Sequence, residues 1–125
     1  MKIEYLGDRA KECSLIRLYD YSQSEACQLR DIVRGLISGD FRSLPLQKET
    51  WAVPIGGCCL TLRRGERNVG VHQLGPLNFE CVLDADGWNN VEGLLEPLCV
   101  FNTAGFQWLT SQGEVSLLIS QTGSW

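Results

Sequence analysis

The chain has 125 residues, of which 44% are hydrophobic and 21% are charged, a balance typical of one globular domain over residues 1–125. Eleven Lys and Arg residues against fifteen Asp and Glu residues give a net charge of -4, which disfavours binding to the phosphates of nucleic acid. No apolar run approaches the roughly 18 residues that a membrane span requires, and we expect no secretory leader behind Met1. These features predict a cytoplasmic protein that binds neither nucleic acid nor membrane.

Six cysteines are spread along the chain: Cys13, Cys27, Cys58, Cys59, Cys81 and Cys99. In a reducing compartment we expect all six to be free thiols, and those in apolar stretches to be small buried hydrophobes. Adjacent residues of a strand point to opposite faces, so Cys59, and not its neighbour, could act as an exposed redox thiol. The chain has no C-x-x-C pair and one histidine, His72, so we expect no metal and no cofactor.

The first helix is the clearest element in the sequence. Residues 14–21 have the composition of a strand, and the residues before them form a short strand or a loose arm. Ser22 and Glu25 form a capping box, in which each side chain accepts a hydrogen bond from the other residue's amide. Apolar residues then recur at helical spacing up to Gly39, which predicts a helix over 23–38 that covers a sheet.

Four strands are expected to follow as an antiparallel meander, over 50–55, 58–63, 69–74 and 79–83. If the hairpin loops set the register, His72 lies opposite Cys81. The face predicted to be the core then carries Cys58, Leu60, Leu62, His72, Leu74, Phe79, Cys81 and Leu83. The other face carries Cys59, Thr61, Arg63, Val69, Val71, Gln73, Glu80 and Val82.

A second, shorter helix is predicted after Asp84 or Asp86, since either side chain can cap its N-terminus. Its apolar residues recur at helical spacing, as they do in a helix that packs on a sheet. We expect its regular part to end near Pro97, because proline removes a helical hydrogen bond.

A final hairpin with its turn at 112–113 closes the chain and pairs Trp108 with Leu117. The sequence shows no internal repeat. Together the elements predict an α+β fold with a mostly antiparallel sheet of about six to eight strands, formed by the meander and the C-terminal hairpin. Both helices are expected to pack on one face of this sheet.

The sharpest catalytic possibility is a dyad of His72 and Cys81, because an imidazole that takes the proton of a thiol makes it a nucleophile. The structural alternative is a core histidine beside an inert thiol. We favour the alternative, because a nucleophile that faces a packed core meets no substrate and no residue is evident to orient the imidazole. We therefore lean against an enzyme and keep this pair as the place to look for one.

Four carboxylates near the second helix, Asp84, Asp86, Glu92 and Glu96, could form an acid–base pair or a magnesium site. The first two are explained more simply by the helix N-terminus, where negative charge is favoured. Gly56-Gly57 is followed by neither a lysine nor a helix, so it predicts a turn and not a phosphate-binding loop.

An apolar surface is the feature that bears most on function. Val69, Val71 and Val82 on the second sheet face, and Leu118 on the back of the last hairpin, are more apolar than a solvated face requires. They are covered either by the chain's own loops, which is the commoner outcome, or by another chain. We expect a non-enzymatic protein-interaction or regulatory domain whose partner is another protein or a second copy of the chain.

Two alternatives remain open. One is a small-molecule-binding domain with a cleft between helix and sheet, lined by Trp51, Trp88 or Trp108. The other is an enzyme that uses the Cys/His pair or the carboxylates. The polar side chains that converge in the main pocket would discriminate between these alternatives.

Overall fold

The computed structural model describes residues 1–7, 14–101 and 105–125, which contain two α-helices, two single-turn 3-10 helices (Leu46–Lys48 and Ile55–Gly57) and nine strands. The helices are α1 (Gln23–Ser38) and α2 (Ala85–Val100). The strands are β1 (Lys2–Leu6), β2 (Ser14–Tyr19), β3 (Ser43–Pro45), β4 (Val53–Pro54), β5 (Cys59–Arg64), β6 (Gly70–Gly75), β7 (Asn78–Leu83), β8 (Phe106–Thr110) and β9 (Val115–Ser120). In these ranges neither helix combines the length and apolar character that a membrane crossing needs.

The strands form one mixed sheet in the order β3-β5-β7-β6-β9-β2-β1-β4, with β8 also paired to β9. The pairs β2/β9, β5/β7 and β1/β4 are parallel, and the remaining pairs are antiparallel. The α+β class is confirmed, but the expectation of a mostly antiparallel sheet is wrong. The meander is also wrong, because β5 pairs with β3 and β7, while β6 lies on the far side of β7.

Burial accounts for the unexpected pairing of β5 with β7. The parallel register sets Leu60 beside Phe79 and Leu62 beside Cys81, and all four side chains are buried. Strand β7 thus has β5 on one edge and β6 on the other, which encloses it in the sheet. The short connection between β5 and β6 is therefore not a hairpin, and the position of β7 between them goes with the burial of Phe79, Cys81 and Leu83.

The connectivity repeats although the sequence does not. Each half of the chain contains a hairpin, a helix and an antiparallel strand pair: β1/β2, α1 and β3/β5, then β6/β7, α2 and β8/β9. The two halves are joined by parallel strand pairs, since β2 pairs with β9 and β7 pairs with β5. Both helices share one core with the same face of the sheet. Neither half therefore completes the core alone.

Helix α1 has its predicted bounds. Ser22 Oγ accepts the Glu25 amide at 3.2 Å, and the Glu25 carboxylate accepts the Ser22 amide at 2.9 Å, so the capping box is confirmed. Gly39 ends the helix with a φ of 83°, a left-handed conformation that suits glycine. Arg64 of β5 also donates to the Ile37 carbonyl at 2.9 Å, which satisfies a group of the last turn.

Helix α2 is longer than predicted. Asp84 caps it, with the carboxylate accepting the Gly87 amide at 2.7 Å. The helix continues through Pro97 instead of ending near it. Pro97 leaves the Gly93 carbonyl without its helical donor, but Leu98 in the same last turn is buried in the core and holds the turn in place.

The β6/β7 hairpin is shifted by one residue from the predicted register. Val71 lies opposite Cys81, and His72 lies opposite Glu80. The register is irregular next to the turn, and one extra residue there moves every side chain of β6 to the other face. The predicted core face is therefore wrong for His72 and for Leu74, whereas Val71 belongs to the core.

The β8/β9 hairpin shows the same kind of shift. Trp108 lies opposite Leu118 and not opposite Leu117, and an irregularity follows Trp108. Leu117 belongs to the core. Strand alternation therefore places Trp108 and Phe106 on the sheet face away from the helices.

Candidate functional site

The predicted dyad does not form. Cys81 faces the core, where its neighbours across the sheet are Leu62 and Val71. His72 faces the other side, with its Nε2 atom 3.0 Å from the Glu80 carboxylate and its side chain 31% exposed. Thiol and imidazole lie on opposite faces of the sheet, so no proton can pass between them. The alternative of a core histidine is also wrong.

The buried free thiols are chemically inert. Burial raises the pKa of the Cys81 thiol to about 12 and the pKa of the Cys58 thiol to about 12. Both thiols are therefore protonated at neutral pH, and a protonated thiol is a poor nucleophile. Cys59 is half-buried, with its Sγ 3.4 Å from the Gly57 carbonyl, and is the free thiol of the described residues that solvent reaches.

Cys27 and Cys99 form a disulfide between α1 and α2, which contradicts the expectation that all six cysteines are thiols. Cys13, in contrast, lies outside the described residues. The bridged residues are 72 positions apart and meet because the helices pack side by side, with Arg30 of α1 2.8 Å from Glu92 of α2. A contact across a helix interface leaves no local pattern in the sequence.

The carboxylates near α2 serve a helix terminus and helix packing. Asp84 caps α2, as described above. Glu92 accepts hydrogen bonds from Arg30 at 2.8 Å and from Arg34 at 3.2 Å, and the bond from Arg30 is the main reason why the pKa of Glu92 is lowered. Glu96 lies 3.8 Å from Arg30. Among the residues described by the structure, no three His, Cys, Asp or Glu side chains converge as a metal site.

The three tryptophans considered for a ligand cleft lie in different places. Trp88 is 1% exposed and donates its indole N–H to the Arg63 carbonyl at 3.0 Å, so it is a core residue. Trp51 lines a shallow depression beside α1. Trp108 packs edge-on against Trp125, with ring centroids 6.4 Å apart, and also lines a groove beside α2.

This groove, which we call the α2–β8 groove, lies between the start of α2 and the end of β8. Its volume is about 450 Å³, within the range of about 300–1,000 Å³ that is usual for ligand sites. It is lined by Asn68, Leu83, Asp86, Gly87, Asn90, Trp108, Leu109, Thr110, Ser111 and Gln112. Five of these ten residues carry amide or hydroxyl side chains, and Asp86 is a carboxylate.

Two glycines allow the walls of the groove to approach. A Cβ atom on Gly87 would collide with the side chain of Asn68, whose Oδ1 accepts the Asp84 amide at 3.0 Å. A Cβ atom on Gly70, which has a φ of 85°, would collide with the Gln112 carbonyl. Glycine at these positions lets Asn68 lie against α2 and lets the loop after β8 lie against β6.

In the described part of the chain, β8 is paired along one edge only, with β9. The Gln121 amide donates to the Gly105 carbonyl at 3.4 Å, which marks a hydrogen-bonded position of the ladder. Because such positions alternate, the main-chain groups of Phe106 and Trp108 point to the opposite edge. At the end of β8, Trp108, Leu109 and Thr110 line the α2–β8 groove, and Phe106 lies beyond its lining.

The predicted interaction surface is covered mainly by the chain itself. Val71 is a core residue with 0% exposure, and Val82 and Leu118 are 4% and 0% exposed. Val69 is 37% exposed and is the member of the set that solvent reaches. Val71, Val82 and Leu118 are therefore covered by the chain itself, which is the commoner of the two outcomes expected from the sequence.

The C-terminal segment supplies part of this cover. Arg17 of β2 donates to the Gly123 carbonyl at 2.9 Å, and Ser120 donates to the Ser124 carbonyl at 2.6 Å. Trp125 then reaches Trp108, the residue opposite Leu118 on β8. The segment thus lies on the sheet face away from the helices.

The comparisons with protein-family models, with curated proteins and with solved structures each found no match. The α2–β8 groove, with the open edge of β8, is the feature that offers both shape and unpaired main-chain groups.

One signal for this site was present in the sequence. A hairpin at the end of a chain often places one strand at a sheet edge, and a final hairpin with its turn at 112–113 was predicted. Its position beside α2 depends on the parallel pairing of β2 with β9, which joins residues about a hundred positions apart. Without knowledge of that pairing, the sequence does not identify Asn68 and Asn90 as residues of the groove.

Proposed function

We propose that the chain is a protein-interaction domain that binds an extended segment of a partner protein as an added strand on β8. The observation that carries the proposal is the open edge of β8 along the α2–β8 groove. A partner segment placed there would exchange hydrogen bonds with the main-chain groups of Phe106 and Trp108. Its side chains would alternate between the two faces of the sheet.

The chemistry of the groove favours a peptide over a small molecule. Small-molecule sites are lined mainly by apolar side chains, with few polar groups. Asn68, Asn90, Ser111 and Gln112 instead offer amide and hydroxyl groups, which suit the alternating donors and acceptors of a main chain. The small-molecule alternative is supported by the groove volume and by Trp108 but not by the rest of the lining.

The charged and the exposed apolar residues around the groove favour one orientation of the bound partner segment. Asp86 lies at the start of α2, and the chain carries a net charge of -4, so a basic residue of the segment is favoured at that end. Phe101 at the end of α2 is 72% exposed, and Phe106 at the start of β8 is 46% exposed. These two rings favour an apolar side chain at the other end of the segment.

A second copy of the chain is the other partner that an open edge strand can pair with. Pairing of two β8 strands would give a symmetric dimer. The peptide segment fits the site better, because α2 borders the groove and a second copy would bring its own α2 against the first.

The proposal can be tested by selecting binders from a phage-displayed library of random short peptides on the immobilised wild-type domain. Trp108→Pro removes the N–H that points away from β9 and is tolerated at an edge, whereas Trp108→Val keeps this N–H and controls for loss of the indole. We expect the selected peptides to bind Trp108→Pro roughly tenfold more weakly than Trp108→Val, as loss of one main-chain hydrogen bond implies. Circular dichroism checks that both variants are folded.

Equal affinity of the two variants, or the absence of any enriched sequence on the wild-type domain, would contradict the proposal. Analytical ultracentrifugation tests whether a second copy of the chain is the partner. A wild-type dimer that dissociates in Trp108→Pro but persists in Trp108→Val would assign the edge to self-association instead.

A further inference from the structure

The Cys27–Cys99 disulfide joins α1 to the last turn of α2 at a position that solvent reaches. Both residues are half-buried, in contrast to the fully buried Cys58 and Cys81. We propose that Cys27–Cys99 is a redox modification site, which a soluble dithiol opens while the protein stays folded. The closed bridge locks the last turn of α2 onto α1. This inference does not depend on peptide binding at β8.

The helix pair has other contacts that persist when the bridge opens. Arg30 of α1 holds Glu92 of α2 at 2.8 Å, and Arg34 holds the same carboxylate at 3.2 Å. Leu29 of α1 and Leu95 of α2 are both buried in the common core. Opening the bridge therefore removes a covalent link without removing the contacts that pack the two helices.

The bridge adds a covalent constraint to the last turn of α2, which Leu98 anchors in the core. Pro97 cannot donate a helical hydrogen bond, and Val100 and Phe101 are 51% and 72% exposed. Apart from buried Leu98, the turn is held to α1 by an exposed hydrogen bond, from the Gln23 side chain to the Cys99 carbonyl at 2.6 Å. Few buried contacts and a missing backbone hydrogen bond are the properties of a locally unstable segment.

The exchange reaction has a preferred direction. Cys27 lies in the N-terminal part of α1, toward the positive end of that helix, whereas Cys99 lies in the last turn of α2, at the negative end of that helix. Cys27 is therefore the better leaving group, and the attacking thiolate bonds to the sulfur of Cys99. The S–S bond breaks, and its electron pair leaves with the Cys27 sulfur, which takes a proton from water.

The second thiol of the reductant completes the reaction. As a thiolate it attacks the reductant sulfur of the mixed disulfide, releases the Cys99 sulfur with its electron pair, and closes a cyclic disulfide. Two electrons pass from the dithiol to the protein disulfide, and both cysteines end as thiols.

The test uses the full chain with Cys13→Ser and Cys59→Ser, so that the free thiols left besides the bridge are the buried Cys58 and Cys81. Dithiothreitol is added under native conditions, and iodoacetamide labelling is read by peptide mass spectrometry. We expect labels on Cys27 and Cys99 and none on Cys58 or Cys81, with the far-ultraviolet circular dichroism unchanged.

Amide hydrogen exchange measures how strongly the disulfide restrains the last turn of α2. We expect exchange at 98–101 to become at least about tenfold faster on reduction, with little change at 29–36. The matched control, Cys27→Ser with Cys99→Ser, should exchange fast at 98–101 without reductant and should not respond to it.

Three results would overturn the inference. Labelling of Cys27 and Cys99 only together with Cys58 and Cys81 would show that the bridge opens only on global unfolding. Unchanged exchange at 98–101 would show that the bridge locks nothing. A glutathione adduct on Cys27 instead of Cys99, when glutathione replaces the dithiol, would contradict the direction of attack.

Discussion

The side chain of His72 lies on the outer face of the sheet because one irregular residue near the β6/β7 turn shifts the whole strand. On that face Glu80 Oε1 lies 3.0 Å from His72 Nε2 and 3.3 Å from Arg63 Nη2, so the imidazole belongs to a surface network. Alternation alone correctly placed Phe79 and Cys81 in the core. Alternation failed for His72, because the sequence pattern does not show where a β-bulge next to a turn inserts an extra residue.

Burial of the Cys81 thiol predicts that the free energy of unfolding decreases at alkaline pH. The pKa of Cys81 is raised by burial from 9.0 to about 12, so between these values the unfolded chain releases a proton that the folded chain keeps. The free energy of unfolding should fall as pH rises through this window, by roughly 1.4 kcal/mol per pH unit for this thiol. Urea unfolding at about pH 8 and about pH 10 should show a smaller loss in Cys81→Ala than in wild type. Identical losses would mean that the thiol ionises without cost in the fold.

Among the elements, those set by local chemistry could be predicted and those set by distant contacts could not. The capping box of Ser22 and Glu25 predicted the start of α1, and the spacing of its apolar residues predicted its course to Gly39. The extension of α2 beyond Pro97 depends on the burial of Leu98, which outweighs one lost hydrogen bond. The parallel pairing of β5 with β7 is a long-range choice of partner, and no hairpin loop encodes it.

Two substitutions in α1 separate capping from packing. Ser22→Ala should lower the free energy of unfolding by about 1 kcal/mol, because it removes the acceptor of the Glu25 amide. Leu36→Ala should lower it by roughly 2–5 kcal/mol, because Leu36 is fully buried and its loss leaves a cavity. Chemical denaturation measures both values. Equal effects would show that the buried face of α1 is misassigned.

The contact between the helices predicts a loss of stability in acid. Hydrogen bonds from Arg30, and next from Arg34, lower the pKa of Glu92, so its contribution is present above the unfolded pKa and is lost as pH falls through the lowered folded value. Glu92→Gln should cost about 1 kcal/mol at neutral pH. Thermal unfolding from about pH 5 to about pH 3 should weaken wild type more than this variant. Parallel pH profiles would contradict this role of Glu92.

For the whole molecule, the crosswise pairing of the two halves creates the candidate site. Because β2 pairs with β9, strand β8 lies on the far edge of β9, beside α2, and no strand of the described residues pairs with its outer edge. A cleft between helix and sheet that includes Trp108 was an expectation from the sequence. Its polar lining and its edge strand were not, because both depend on how the halves are interleaved.

Strand addition at β8 can be measured most directly by amide exchange, read by NMR, on the domain with and without a library-selected peptide. In the free domain the Phe106 and Trp108 amides should exchange rapidly, because they point away from β9, while the Gln107 amide should be protected. Bound peptide should slow exchange at Phe106 and Trp108 by at least about tenfold and leave Gln107 protected as before. Rapid exchange at Phe106 and Trp108 in the saturated complex would contradict strand addition.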